Sequence, residues 1–265
     1  MTKDNSDKSI PIPGYESAIT DVGFHKINIR GYPLEEIIRK LSFTEAIYLV
    51  LKGELPGEKE TRVMNAVLCG ILDHGLFAPT GLAARVVASA NPQSIMPGVA
   101  GALLTVGSVT VSPQDTAELI EEALQLVREK GLDRDEAAAK IVESYTARRK
   151  RVPGLGHPLH PTGDPRAAAI REVALENGYW GEKSEIYEAV AKAFCDLVKR
   201  QLPINIDGAM GCVLSELGFA PREMAGIAAL SFMPGIIAHA TEETESIKMR
   251  VAECKYTGAP ERHIP

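Results

Sequence analysis

From Pro33 onward the apolar residues of this chain recur three and four positions apart, and almost nowhere at the alternating spacing of a strand. Each run carries its own start and stop. Ser42 followed by Glu45 has the form of a capping box, and Gly53 then Pro56 end the helix it opens. Over 60–75, Val63, Val67 and Ile71 fall on one stripe with Met64, Leu68 and Leu72 beside it, predicting a helix that ends at His74 and Gly75. Ser112 before Pro113 opens another, closed by Gly131. Further helices are expected over 134–149, 165–177, 183–200, 221–231 and 234–248. The best alternating stretch is Asp21 to Arg30, read as a short hairpin. Helices joined by glycine and proline define an all-α class, and no repeat of solenoid length recurs.

At 265 residues the chain can enclose a large core, and with 45% hydrophobic and 24% charged residues it reads as globular rather than disordered. A net charge of −6 argues against a broad nucleic-acid or acidic-membrane surface, while leaving room for a local basic site. Cys69, Cys195, Cys212 and Cys254 lack metal-ligand spacing and sit in apolar helical stretches, so buried free thiols are expected. The polar first residues do not resemble a signal peptide, and no apolar run reads as a bilayer span. A cytoplasmic location is expected.

The least helical internal stretch is Arg151 to Pro165, dense in proline and glycine and carrying His157 and His160. A loop of this kind between long helices is where a site is expected. His157, between Gly156 and Pro158, is either a positioned functional ring or a packed one. His160 invites pairing with it on a metal, but no third ligand lies near in sequence. His74 read alone is a histidine at a helix C-terminus, favoured there by the dipole. Asp207, at the end of the apolar run Pro203-Ile204-Asn205-Ile206, either caps the next helix or has a raised pKa suited to moving a proton on carbon. Arg166 either clamps a carboxylate or pairs with Asp164 at the surface. Arg148, Arg149, Lys150 and Arg151 form either a solvated helix end or a grip for phosphates.

Together these segments resemble the citrate synthase superfamily, and within it the citryl-CoA lyases, including the lyase module of ATP-citrate lyase. The likeness runs from about residue 18 to residue 258. Ile29 to Glu36 with Ser42 to Pro56 resembles the family's opening RGYPIEDL…SSFEEVAYLLLYGELP. Pro153 to His157 with Asp164-Pro165-Arg166 resembles GxGHxxxxxxDPR, Pro203 to Asp207 resembles PNVD, and Gly235 to His239 resembles GWIAH. The resemblance implies a citrate synthase-like helical fold and a coenzyme A thioester as substrate, with no tightly bound cofactor and no metal. It implies that His157 bonds the oxygen of the oxo-acid unit and that His74 binds and polarises that unit. Asp207 would exchange a proton with the methyl carbon of acetyl-CoA, and Arg166 would hold a carboxylate. Arg149, Lys150, Arg151, Gly154, Leu155 and Gly156 would receive the coenzyme.

Departures from the pattern direct the expected chemistry. The GPxHG histidine of citrate synthases has no counterpart in Gly101 to Ser112, as in citryl-CoA lyases, which favours cleavage over synthesis. One family arginine falls on Phe232 and another near Glu253, leaving Arg166 and Arg250 as carboxylate clamps and Phe232 to face an apolar substituent. The expected activity is cleavage of a 3-hydroxy-3-carboxyacyl-CoA (citryl-CoA or a citramalyl- or malyl-type thioester) to acetyl-CoA and an oxo acid. A condensing synthase and a non-catalytic coenzyme-binding relative are the alternatives. A large domain from 1–110 and 213–265, a smaller one over 111–212 closing on the coenzyme, a homodimer, and a separate CoA-ligase partner are expected.

Overall fold

The structure is a computed structural model that describes residues 14–246 and residue 257. It is all-α, with eleven helices and one small sheet among the described residues. The sheet is the expected hairpin, β1 (Thr20–Gly23) antiparallel to β2 (Lys26–Ile29), with His25 at positive φ in the turn. A two-residue β3 (Tyr32–Pro33), too short to leave a periodic signal, completes it.

The helices are α1 (Leu34–Lys40), α2 (Phe43–Lys52), α3 (Glu58–Cys69), α4 (Pro79–Ser89), α5 (Met96–Leu103), α6 (Pro113–Lys130), α7 (Arg134–Ala147), α8 (Pro165–Asn177), α9 (Glu182–Val198), α10 (Ile206–Glu216) and α11 (Pro221–Ser246). The local signals act as expected. Ser42 and Glu45 form a reciprocal capping box, and Gly53 and Gly131 end their helices in the left-handed conformation.

Four expectations are corrected. The helix of the 60–75 stretch stops at Cys69, five residues before His74, and Leu72 is exposed. Cys69 is exposed too, whereas Cys195 and Cys212 are buried and Cys254 lies outside the described residues. The two helices expected to meet at Pro234 are one, α11. An interior proline costs about 3 kcal/mol, but Ser231, Phe232, Ile236 and Ala240 are buried on either side of it, and their packing outweighs the lost bond. At 26 residues, α11 is also long and apolar enough to cross a membrane, contrary to the sequence reading. Met224, Ile227, Phe232, Ile236 and Ala240 are buried along it, and its Glu243 is buried against Arg85 of α4.

The chain divides into two compact units, one of residues 1–72 and 106–232, the other of 73–105 and 233–265. These boundaries differ from those expected at 110 and 212. In the first unit α10 is the central rod: Ile206 and Gly208 through Ser215 are all buried, and α3, α6, α8 and α9 pack around it. Gly211 lets α6 approach, since a Cβ there would come 2.6 Å from the Thr116 side chain. In the second unit α4 and α5 pack closely, because a Cβ at Gly98 would come 2.7 Å from the Ala84 carbonyl.

Candidate active site

The site in the first unit is built where α10 begins. Asn205, not Asp207, caps the helix: its side chain accepts from the amides of Asp207 and Gly208 at 3.0 and 3.2 Å. Asp207 is thereby released from capping and stands in the first turn, its Oδ1 buried and accepting no hydrogen bond among the described residues. Burial raises its pKa to about 6; the Ser112 backbone N–H and the Arg166 charge oppose the rise, and Asp115 and Asp164 add to it.

The glycine loop lies directly against this helix start. Leu155 pairs with Ile204 as an antiparallel bridge, the Gly156 amide donates to the Pro203 carbonyl at 2.8 Å, and the Asn205 amide donates to the Gly154 carbonyl at 2.9 Å. Asn205 Nδ2 also donates to the Gly156 carbonyl at 2.8 Å. Gly154 has φ +75°, and a Cβ there would overlap the Tyr187 hydroxyl and come 2.6 Å from Gly208 Cα. Glycine is needed for both reasons. The buried Tyr187 supports the loop from beneath, donating its hydroxyl to the Pro153 carbonyl at 2.7 Å.

His157 follows this anchored loop, half-buried, with its ring stacked on His160 at 4.7 Å between centroids. Its Nδ1 accepts the Leu159 amide at 3.1 Å, so the proton of the neutral ring sits on Nε2. Stacked rings do not converge on one point, and among the described residues no group of three potential metal ligands occurs.

Arg166 pairs with Asp164, but not at the surface. Its Nε and Nη2 bond the two Asp164 oxygens at 3.0 and 2.8 Å, and Asp164 is buried. Asp164 also caps α8 through the Arg166 amide at 3.0 Å and accepts the Ile206 amide at 3.1 Å. Burial raises its pKa, but the bonds and charge of Arg166 and the two amides outweigh that and hold the carboxyl below its ordinary value. Two arms of the guanidinium fork are thus committed within the protein, and Arg166 offers a ligand its remaining edge.

The basic run is a turned helix end. Arg149 adopts φ 55°, the Lys150 amide returns to the Tyr145 carbonyl at 2.9 Å, and all four cations are exposed. Of the residues expected to receive the coenzyme, Arg149, Lys150 and Arg151 are accessible and Leu155 and Gly156 half-buried, whereas Gly154 faces inward and shapes the loop. Phe232 is 3% exposed, packed rather than presented to a substituent. Arg250 lies outside the described residues.

His74 belongs to the second unit. It precedes a 3₁₀ turn (Gly75–Phe77) instead of ending a helix, and meets the Phe77 ring edge-on at 5.6 Å. Sequence reasoning assigned no role to Asn205 or Tyr187, and gave Asp164 only a surface pairing with Arg166. The spacing Asn205-Ile206-Asp207-Gly208 carried the signal for the first, an Asn before a first-turn acid. Nothing local marked Tyr187.

A capped helix start bearing a buried acid, tied to a glycine loop with a histidine, is the arrangement expected of the citrate synthase class. The chain belongs to that family: the profile described as "Citrate synthase, C-terminal domain" matches residues 57–251. Among solved structures it is similar to citryl-CoA lyase from Hydrogenobacter thermophilus, with a TM-score of 0.84 and 34% identity over 95% of this chain and 97% of that one. ATP citrate lyase from Methanothrix soehngenii, solved with citrate and coenzyme A, shares the fold at TM-score 0.74 and 21% identity, over 94% of this chain and 42% of that one. Citrate synthase 2 of Bacillus subtilis (strain 168) is 27% identical over 216 residues, 81% of this chain and 55% of the relative. The chain thus spans about half the length of that curated relative.

Proposed function

We propose that the protein is a citryl-CoA lyase-type enzyme that cleaves a 3-hydroxy-3-carboxyacyl-CoA to acetyl-CoA and an oxo acid. The observation that carries the reading is Asp207: a buried carboxyl with a pKa near 6 and an unbonded oxygen, beside the loop of His157. In the retro-Claisen step the hydroxyl oxygen loses its proton and becomes the oxo group of the departing acid. The electrons of the broken carbon–carbon bond pass to the thioester as its enolate, and Asp207 in its acid form protonates the enolate carbon. His157, with its proton on Nε2, donates to the reacting oxygen, and His74 binds the oxo-acid unit and takes the hydroxyl proton. Arg166 holds a substrate carboxylate with its remaining edge, and Arg149, Lys150 and Arg151 meet the phosphates of the coenzyme.

Two observations support lyase over synthase: the likeness to a citryl-CoA lyase over nearly the full length of both chains, and the lack of histidine between Gly101 and Ser112. The curated relatives named citrate synthases support the second reading, a condensing enzyme. Incubation with a panel of 3-hydroxyacyl-CoAs, identifying the oxo acid released, tests the proposal. Thiol release from acetyl-CoA and oxaloacetate without cleavage would favour the synthase, and coenzyme binding without any turnover a non-catalytic relative. Wild-type cleavage rates in both Asp207→Ala and His157→Ala would sink the assignment of roles. In the same reading the protein acts as a cytoplasmic homodimer without a metal, a separate ligase supplying the thioester.

A further inference from the structure

Gly235 to His239 resembles a family segment, and His239 takes no part in the proposed reaction. It and the residues it meets all lie in the second unit. From α11, His239 Nε2 stands 3.0 Å from Asp73 Oδ1. A carboxylate only accepts, so the ring is the donor. The other oxygen of the same carboxylate, Oδ2, accepts the Gly75 backbone N–H at 3.0 Å. Asp73 therefore closes a turn over its own next two residues, and His74 is the residue enclosed.

An aspartate turn whose side chain is half exposed, as here, holds its geometry weakly, because the carboxylate can rotate into water. His239, only 15% exposed, removes that freedom. A Cβ at Gly81 would come 2.7 Å from the Gly75 carbonyl and 3.3 Å from the His239 ring, so the turn, α4 and the imidazole leave no space for a methyl group. His239 is steadied from behind. Its Nδ1 faces Glu242 at 4.0 Å, that carboxylate is bonded by Arg85 Nη1 at 2.8 Å, and Arg85 Nε bonds Glu243 at 2.6 Å.

We infer that His239 is a positioning residue for His74: acting through Asp73, it fixes the turn that orients the His74 ring. The inference rests on His74 being the group that binds the oxo acid. Misplacing a reacting group by about 1 Å can cost about 100-fold in rate, so loosening this turn should register in turnover.

The test combines imidazole ¹H–¹⁵N spectra of the full chain, with the His74 signals assigned through His74→Gln, and kcat on the cleaved thioester. Asp73→Ala and His239→Ala should shift or broaden the His74 signals and lower kcat about tenfold or more, leaving coenzyme A affinity unchanged. His239→Gln, whose amide can still donate to Asp73, should restore both readouts. It also keeps the test decisive if the alanine variants do not fold, since displaced His74 signals in a folded Gln variant count against the inference. The double variant should be no worse than either single one, because both act through one bond. His74 signals that superimpose on wild type in the single variants, or losses that multiply in the double, overturn the inference. If the signals move while kcat stays at wild type, the positioning stands and the oxo-acid role of His74 falls.

Discussion

Asn205 donates its Nδ2 to the Gly156 carbonyl at 2.8 Å while its Oδ1 receives the amides that open α10. One side chain thus sets both the loop leading to His157 and the helix turn bearing Asp207.

Asn205→Asp and Asn205→Ala separate these two duties. The aspartate keeps the cap but turns an acceptor towards the Gly156 carbonyl, losing one hydrogen bond worth about 1 kcal/mol. Alanine loses the cap as well, about a further 1 kcal/mol. Thermal melting should rank wild type above Asn205→Asp above Asn205→Ala, and kcat should fall in both because the loop is released.

Asp207 predicts opposite pH limbs for the two reaction directions. With its pKa at about 6, the acid form prevails below that pH and the carboxylate above it. Cleavage, which needs the acid, should lose rate as pH rises through about 6, whereas condensation should gain. Rate profiles measured in both directions check this.

The same group couples stability to pH. Its folded pKa lies above the ordinary 3.8, so its stabilising contribution is complete below 3.8 and is lost as pH rises through about 6. The loss is of order 3 kcal/mol at pH 7. Asp207→Asn lacks this penalty. It should lower turnover by about 100-fold or more, yet resist urea better than wild type at pH 7.5, with the advantage shrinking towards pH 4.

Gly154→Ala and Gly156→Ala should differ although both glycines have positive φ. The first Cβ would overlap the Tyr187 hydroxyl, whereas the nearest atom to the second is Leu202 Cδ2 at 3.4 Å. Backbone strain of about 1 kcal/mol is common to both, and overpacking adds about 1–3 kcal/mol at Gly154 alone. Denaturant midpoints of the two proteins measure the difference.

Asp164→Ala should be the most damaging of these changes. It leaves a partly buried guanidinium and the Ile206 amide without their acceptor, a loss of about 3–5 kcal/mol. Because Arg166 holds the Asp164 carboxyl low, the stabilisation is present near neutrality and fades as pH falls below the ordinary carboxylate range. The gap between wild type and Asp164→Ala should therefore narrow in acid, as melting at pH 7 and pH 3 would report.

Local chemistry was legible wherever it acts within a few residues. The Ser42–Glu45 capping box, the Gly53 and Gly131 stops and the hairpin over 21–30 are dictated by hydrogen bonds and backbone preferences inside one turn, and all are present. Pro234 shows the limit of such rules, because burial on either side of it carries α11 straight through. Leu72 and Cys69 show the same limit from the other side: helical spacing marks a stripe, but only the packing partner decides where the stripe ends.

The sequence by itself determined the helical class and most helix ends, because period and caps are local features. Only the tertiary structure decided what the polar side chains around the start of α10 do. It gave the capping of α10 to Asn205, so that Asp207 stands half-buried with one carboxyl oxygen unbonded, and it committed two arms of Arg166 to Asp164. It also set Tyr187 beneath Pro153 and His239 against Asp73, partners 34 and 166 residues away in the chain. Burial and hydrogen bonding across such separations depend on how helices pack, and that is where a carboxylate acquires its pKa and a histidine its orientation.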